Sequence, residues 1–510
     1  MSFNIHRIEK KPKRRIVRLP WRRALAIGVM AAKPLYKIGE KLYERKQHRH
    51  HVKRAFSVGI SIVVALAIVL LTFSLLIKIG GLSMTSLTKI TGIPVSADEN
   101  GVTNVLLLGQ GDETGQDLTD TIMIASIDPV DTNSVSLLSL PRDLYFLHTD
   151  TIMETEKGKL NALWRDNRIL LGKKGHTYEE ARLLSLKQLA EEIGNAIGID
   201  IHHAVMVDFE AFEKAVDAIG GIDVAVPETI HDEEFPGPNY TYETFHIDAG
   251  LQKLDGKTAL KYARTRSTTS DFDRSARQQQ ILNAASKQAK ESGILRKPKK
   301  ILELFTILNE HIETDLSTRQ MITLGNIAKE VDKDHFVSLQ LNNVNGLYGE
   351  QLWKGGILYA PPRDLFEGDS VLLPVSIPEF PVTWKQVQTL VNLFFQNRTL
   401  YLDNPRISIF NGGAKEGSAR KISRELTKYG FDVVEVTNVP GRKEFPSSFV
   451  LLNNSDTDKT AKFFGSLLNV PSEEISPAWT EILAGKDNGD IAMILGEDFE
   501  FSFFQDLISL

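Results

Sequence analysis

Asn104-Val105-Leu106-Leu107-Leu108-Gly109, then Thr121-Ile122-Met123-Ile124-Ala125-Ser126-Ile127, then Val135-Ser136-Leu137-Leu138-Ser139-Leu140. These three runs decide the fold. Each is short, aliphatic and bounded by turn residues, with Asp128-Pro129 and Asn133 between the second and third. Each therefore reads as a buried strand. Downstream the period changes. Leu183 to Ile197 shows helical spacing and stops near Gly198. Ala204 to Phe209 predicts a strand and Glu210 to Ile219 a helix. Gly220-Gly221 then breaks the chain before a strand over Ile222 to Val226. Asp255 to Tyr262 and Asp271 to about Glu291 read as helices. Strands alternating with helices predict a layered α/β sandwich over residues 97–290, enough chain for one domain.

Beyond it, a Lys/Pro-rich stretch (Arg296 to Lys300) precedes helix-like Ile301 to Ile312 and Thr318 to Val331. Pro361-Pro362, Pro374, Pro378 and Pro381 then mark irregular chain. Residues 291–400 are expected to be an accessory extension of the first domain. Residues 405–510 start a new unit. Ile407 to Phe410 is a strand, Gly417 to Tyr429 a helix capped by Gly430, and Phe431 to Val436, Phe449 to Asn453 and Ala492 to Leu495 are further strands. This predicts a small C-terminal α/β domain.

Ahead of all this lies Ala55 to Ile77, an apolar run without a charged side chain. At ~1.5 Å per residue it is long enough to cross a ~30 Å hydrocarbon core as one helix, so residues 55–79 are expected to be a transmembrane segment. Residues 1–54 carry 17 Lys+Arg against 3 Asp+Glu, about +14, while the remainder is about −19. The positive-inside rule puts the tail in the cytoplasm and the body outside the cell, as a single-pass membrane protein. A cleaved signal peptide would have a shorter charged region and a shorter core, so an uncleaved signal anchor is the expectation. The chain has no Cys, which fits an external domain without disulfides and excludes thiol chemistry. The tail could lie on an anionic leaflet or serve only as an orientation signal. It lacks a helix-turn-helix pattern, and nucleic acid is not an expected partner. His48, His50 and His51 read as juxtamembrane basic filler.

Three polar clusters interrupt the first outer domain. Asp112, Asp117 and Asp120 follow the first strand. Several carboxylates in one Gly-containing loop suit Mg²⁺, a hard cation, although a solvated acidic turn looks the same in sequence. Pro141-Arg142-Asp143 ends an apolar strand, as a site at the sheet's edge would, or as a surface ion pair would. Arg264 and Arg266, two apart, point to one side ~6.6 Å apart if the chain is extended. Asp271, Arg274 and Gln278 share one helical face, with Arg277 on its flank. Clustered guanidinium forks repel unless an anion lies between them, and they pair bidentately with phosphate oxygens, although a solvated basic helix is the alternative reading. Acidic metal ligands with an arginine cradle describe a phosphoryl-transfer site. Outside a cell, a lipid pyrophosphate is the natural activated donor.

At these residues the chain resembles the LytR-CpsA-Psr (LCP) family of cell-envelope proteins. The matching blocks are Asn104 to Gly109, Leu118 to Ile122, Val135 to Asp143, Lys159 to Asn161, Asp208-Phe209 with Asp217 to Gly221, Leu254 to Gly256 with Ala259 to Arg266, and Ser270 to Arg274 with Arg277 to Gln279. Residues 406–500 resemble the LytR-type C-terminal domain of some members. The resemblance implies an α/β/α catalytic domain and a Mg²⁺-dependent transferase. Its reaction moves a phospho-glycopolymer, teichoic-acid-like or capsular, from a polyprenyl-pyrophosphate carrier to peptidoglycan. A glycan hydroxyl attacks phosphorus and lipid phosphate leaves. An apolar tunnel in the core would take the lipid chain. On this chain the resemblance assigns Asp120 to Mg²⁺, Arg142 to catalysis, and Arg264, Arg266, Arg274 and Gln278 to the pyrophosphate, with Asp271 and Arg277 among them. Many members carry an Asp-Arg pair soon after the first strand. Here Gly109-Gln110-Gly111-Asp112-Glu113 has no Arg, so the second metal ligand is Asp112 or Asp117 and the base is Asp112 or Asp120. The competing expectations are a hydrolase of the same lipid pyrophosphates, an envelope regulator, and a wall-binding module over 405–510.

Overall fold

Strand β2 (Thr119–Asp128) is buried along its whole length, flanked by β1 (Thr103–Gln110) and β3 (Ser134–Leu140) in antiparallel register. A strand covered on both faces need not alternate apolar and polar residues, which is why Val105 to Leu108 and Ile122 to Ala125 read as apolar runs, while β3 buries its serines among its aliphatic residues. The computed structural model of the chain describes residues 95–111, 117–147, 152–154, 157–237, 241–265, 271–292, 311–317, 335–346, 351–374 and 383–500, with isolated positions between 320 and 331. The basic tail and the apolar run Ala55 to Ile77 lie outside them.

After β3 the chain makes a short antiparallel ribbon of β4 (Tyr145–Leu147) and β5 (Lys157–Lys159). Helices α1 (Leu160–Lys173) and α2 (Tyr178–Ile197) follow. A capping box between Thr177 and Glu180 starts α2, and Gly198, at φ 80°, ends it in the left-handed region that glycine tolerates. Strand β6 (His203–Val207) returns beside β1 in parallel. Asp208 caps α3 (Phe209–Ala218) by accepting from Ala211 N. A ribbon and a hairpin come next, built from β7 (Ile222–Val226), β8 (Ile230–Pro236), β9 (Tyr242–Ile247) and β10 (Gly250–Leu254), with β7 paired to β10 and β8 to β9. Asp255 caps α4 (Gly256–Arg264), and α5 (Asp271–Glu291) follows. A Cβ on Gly256 would sit 2.1 Å from Glu213 O, so only glycine lets α4 pack this closely on α3.

Two strands from the supposed accessory stretch complete the sheet. β11 (Ile312–Thr314) pairs with β6, and β12 (Phe336–Gln340) lies parallel to β3. The order is β11-β6-β1-β2-β3-β12. β1, β3, β6 and β12 run in one direction, so their C-terminal ends and the start of β2 gather at one edge. Such an edge is where open α/β sheets place ligands.

The chain then forms a small ribbon of β13 (Leu358–Tyr359) and β14 (Leu373–Pro374), followed by α6 (Lys385–Gln396) and α7 (Thr399–Leu402). Between these helices Arg398 is buried against the first sheet. Its Nη2 donates to Ser126 Oγ at 3.0 Å, its Nε to Phe395 O at 3.0 Å, and Asp128 lies 3.8 Å away. The stretch 291–400, expected as an accessory extension of the first domain, supplies both edge strands of its sheet and a buried cation. Two short edge strands and one arginine leave no periodic signal.

The second unit has β15 (Arg406–Asn411), α8 (Ser418–Lys428), β16 (Asp432–Asn438), β17 (Phe449–Leu452), α9 (Asp458–Leu468), β18 (Ser472–Glu474), α10 (Pro477–Ile482) and β19 (Ile491–Leu495). Its five strands lie in the order β16-β15-β19-β17-β18. The protein is thus a mixed α/β fold followed by a smaller α/β unit.

Candidate active site

Asp120 stands at the start of β2, at the sheet edge where the other strands end. Its side chain is fully buried, and its Oδ1 accepts from Arg142 Nη1 and from Asn161 Nδ2, each at 3.2 Å. Its Oδ2 is buried with no hydrogen-bond partner. Burying a carboxylate oxygen unpaired is costly, so this atom marks a place built for something other than folding.

The backbone explains why these groups meet. Asn161, in the first turn of α1, donates its N–H to Arg142 O at 3.1 Å, and its own carbonyl accepts from Thr119 Oγ1 at 3.2 Å. The turn after β3, the start of α1 and the start of β2 are thereby tied together. Lys159 Nζ holds Asp143 at 2.6 Å, and Asp143 lies 3.7 Å from Arg142 Nε. Arg142 has a side chain only 18% exposed, so it is no ordinary surface ion pair.

Above these groups is a cavity of about 190 Å³, lined by Asp120, Arg142, Gln278, Asn343 and Ser370 among polar residues and by Ile122, Met123, Leu140 and Leu372 among apolar ones. Gln278 hangs from α5. Its neighbour Gln279 fixes that helix to the sheet by hydrogen bonds with Ser139 at 3.4 Å and Ser338 at 3.1 Å. Gln278 is buried, and its Nε2 has no partner. One cavity therefore gathers an orphaned acceptor and an orphaned donor. Together with the Arg142 guanidinium they offer a carboxylate oxygen for a hard cation and two kinds of N–H for phosphate oxygens.

Asp120, Arg142 and Gln278 come together, and other expected residues do not. Arg264 is the last residue of α4 rather than part of an extended segment. The cap at Asp255 starts the helix and Thr265, at φ −58° and ψ 145°, ends it. The Arg264 guanidinium lies over Phe209 and Phe235, with ring centroids at 4.7 and 5.4 Å, and Arg264 does not line the cavity. Arg277 braces the fold. Its Nε donates to Tyr262 O at 3.2 Å and its Nη2 to Thr265 O at 2.5 Å, pinning the end of α4 to α5. Asp117 is committed to a latch in which its Oδ1 accepts from Gln110 at 3.0 Å and its Oδ2 from Arg168 at 2.7 Å. Asp112 and Arg266 lie outside the described residues, as do the side chains of Asp271 and Arg274. Among the described residues no three ligating side chains converge as a metal cluster.

Asn161 and Arg168 were missed as site residues. They sit seven apart on α1, two turns on one face, so one helix holds Asp120 through the first and Asp117 through the second. Lys159-Leu160-Asn161 was visible as a matching block, but a single Asn carries no spacing. Arg168 also lies over the rings of Trp164 and Tyr178, both at 5.1 Å.

Comparison with known proteins identifies the family. A model described as the LytR_cpsA_psr family matches residues 83–364. A second, described as LytR cell envelope-related transcriptional attenuator, matches residues 404–499. The polyisoprenyl-teichoic acid–peptidoglycan teichoic acid transferase TagU of Oceanobacillus iheyensis is 30% identical over 299 residues, covering 55% of this chain and 83% of that protein. Bacillus subtilis TagV, of the same named activity, is 29% identical over 41% of this chain and 48% of its own length. The probable cell wall biosynthesis protein LcpB of Corynebacterium glutamicum is 33% identical over 38% of this chain and 39% of its own length. The crystal structure of B. subtilis TagV overlaps 58% of this chain and 97% of that one, at 22% identity and a TM-score of 0.40. That overlap is loose, and nothing about the site rests on it.

Proposed function

The chain belongs to the LytR_cpsA_psr family, and from that premise we propose that it moves a phospho-glycopolymer from a polyprenyl-pyrophosphate carrier to peptidoglycan. The observation that carries this reading is the convergence of Asp120 Oδ2, Gln278 Nε2 and Arg142 in one half-apolar cavity at the sheet edge. The names of the relatives, teichoic acid transferases among them, supply the class of donor and acceptor.

In the reaction, a hydroxyl oxygen of the glycan acceptor forms a bond to the phosphorus that carries the polymer. The bond from that phosphorus to the bridging oxygen breaks, and polyprenyl monophosphate leaves with the electron pair. The hydroxyl proton passes to a carboxylate of the Asp112–Asp120 pair. Arg142 orients Asp120 through Oδ1 and spreads positive charge toward the non-bridging oxygens, and Gln278 Nε2 donates to one of them. Arg266 and Arg274 are assigned to the same diphosphate. Arg264 can join them only by leaving its aromatic stack. Mg²⁺ fits the donor set, since a buried, unpartnered carboxylate oxygen is a hard ligand. Asp120 with Asp112 would hold it, and when bound it would neutralise charge on the diphosphate. The run Ala55 to Ile77 serves as a single membrane anchor, with the basic tail on the cytoplasmic side and the α/β body outside the cell beside its lipid-linked donor.

The test is turnover by the purified chain of a polyprenyl-pyrophosphate glycan, with and without peptidoglycan fragments and Mg²⁺. Acceptor-dependent release of lipid monophosphate, removed by EDTA and lost in Asp120→Asn, is expected. Release at the same rate without acceptor would make the protein a hydrolase instead. No release under any condition would end the proposal.

A further inference from the structure

The hairpin of β8 and β9 carries a second constellation, away from the cavity lining. His231 and His246 are direct cross-strand partners on its exposed face. Their Nδ1 atoms are 3.3 Å apart. Each ring turns its other nitrogen to a carboxylate two residues along its own strand or turn. His231 Nε2 lies 3.3 Å from Glu233 Oε1, and His246 Nε2 lies 3.1 Å from Asp248 Oδ1. An ionised carboxylate only accepts, so these contacts favour the tautomer with the ring proton on each Nε2. In that tautomer the two Nδ1 atoms present lone pairs to each other at hydrogen-bond distance, a contact that a shared proton or a metal cation relieves.

The spacing says what fits. At the ~2.0–2.1 Å of a zinc–imidazole bond, two nitrogens 3.3 Å apart subtend about 104–111°, the tetrahedral angle. A carboxylate on the far nitrogen is the usual outer partner of a metal-bound histidine. It fixes the tautomer and raises the basicity of the ligating atom. We propose that His231 and His246 form a surface site for Zn²⁺ through their Nδ1 atoms, with Glu233 and Asp248 as outer partners and water completing the shell. Such an ion would join β8 to β9 at the pair itself. Directly beside His231, the buried Asp232 accepts from Thr265 Oγ1 at 2.5 Å, so the hairpin is tied to the segment between Arg264 and Arg266. The ion would thereby stiffen the support of the arginine segment without touching the cavity.

The test is Zn²⁺ titration of the full chain against a competing chromophoric chelator, repeated with Co²⁺ to read the visible bands of a tetrahedral ion. His231→Asn and His246→Asn should each remove one equivalent of bound metal, while any ion held by the tail histidines remains. Glu233→Gln with Asp248→Asn should keep the stoichiometry and weaken binding roughly tenfold. Unchanged far-UV circular dichroism and unfolding temperature show that the variants are folded. The same stoichiometry in wild type and both histidine variants would overturn the proposal. Binding by wild type without tetrahedral cobalt bands would do so too.

Discussion

The two sheets are both mixed, the first with three antiparallel pairings of five and the second with one of four, and they differ in where their polar atoms go unpaired. In the first, Asp120 Oδ2 and Gln278 Nε2 are both orphaned and both face one cavity. In the second, the buried polar groups near the strands are mostly paired. Ser408 Oγ donates to Asp487 O, Ser448 Oγ to Asp498, Thr457 Oγ1 to Asn454 O and Thr460 Oγ1 to Asp403, all at 2.7–2.8 Å. Tyr429 Oη and Asn488 Oδ1 are the exceptions there, and neither lines the cavity of the first sheet. Polar burial alone does not mark a site. Convergence of unpaired donors and acceptors does, because each would cost about 1–3 kcal/mol if it had no further purpose.

Asp120→Asn breaks the comparison most directly. Transfer should fall about 10³-fold, roughly 4 kcal/mol at the transition state, while the unfolding temperature holds or rises. A large loss of stability would instead place Asp120 with the paired residues of the second sheet. Arg398→Ala tests the opposite kind of buried charge. It removes hydrogen bonds to Ser126 and Phe395 and leaves a cavity, and should cost about 2–4 kcal/mol in denaturant unfolding. The loss stays below that of a stripped ion pair because Asp128 keeps its bonds from Val130, Asp131 and Thr132. Gln278→Ala should lower transfer about tenfold, near 1.4 kcal/mol, with stability nearly unchanged. In the second sheet Ser408→Ala should cost about 1 kcal/mol of stability and leave transfer alone.

Acid sharpens the same contrast. Burial pushes the Asp128 carboxyl up, but hydrogen bonds from Asp131, Thr132 and Val130 outweigh it and the net direction is down. Asp315 behaves likewise, with His203 and Ala204 N outweighing burial. Depressed folded values mean stability that is present above the unfolded carboxylate value near ~3.9 and is lost as pH falls through the folded ones. The unfolding temperature should therefore be flat from these two groups above about pH 5 and fall below about pH 4, less steeply in Asp128→Asn. A drop beginning above pH 6 would show that other groups govern it.

Much of this was legible in the sequence where burial was uniform. β1, β2 and β3 could be read because both faces are covered, and Asp255 and Gly198 marked helix ends where the structure has them, whereas Asp208, read as strand, caps α3. β11 was illegible for the opposite reason, being three half-buried residues at an edge. Asp120, Arg142 and Gln278 were found through pattern and resemblance. Asn161 was not, because its role comes from a helix that starts immediately after a three-residue strand. Arg264 was expected in extended chain, whereas it ends α4 with its guanidinium over Phe209 and Phe235.

The hydrogen bond from Arg398 to Ser126 joins positions 272 residues apart. Its consequence belongs to biogenesis. β2 cannot receive that cation, nor β3 its outer neighbour, until hundreds of further residues have been made and delivered. Contacts of such long range form slowly, and until they form a bare apolar sheet edge stays open to other chains. Fragments that stop short of β12, before residue 336, should therefore clump, and a nascent chain would need a binder that shields β3 while it waits.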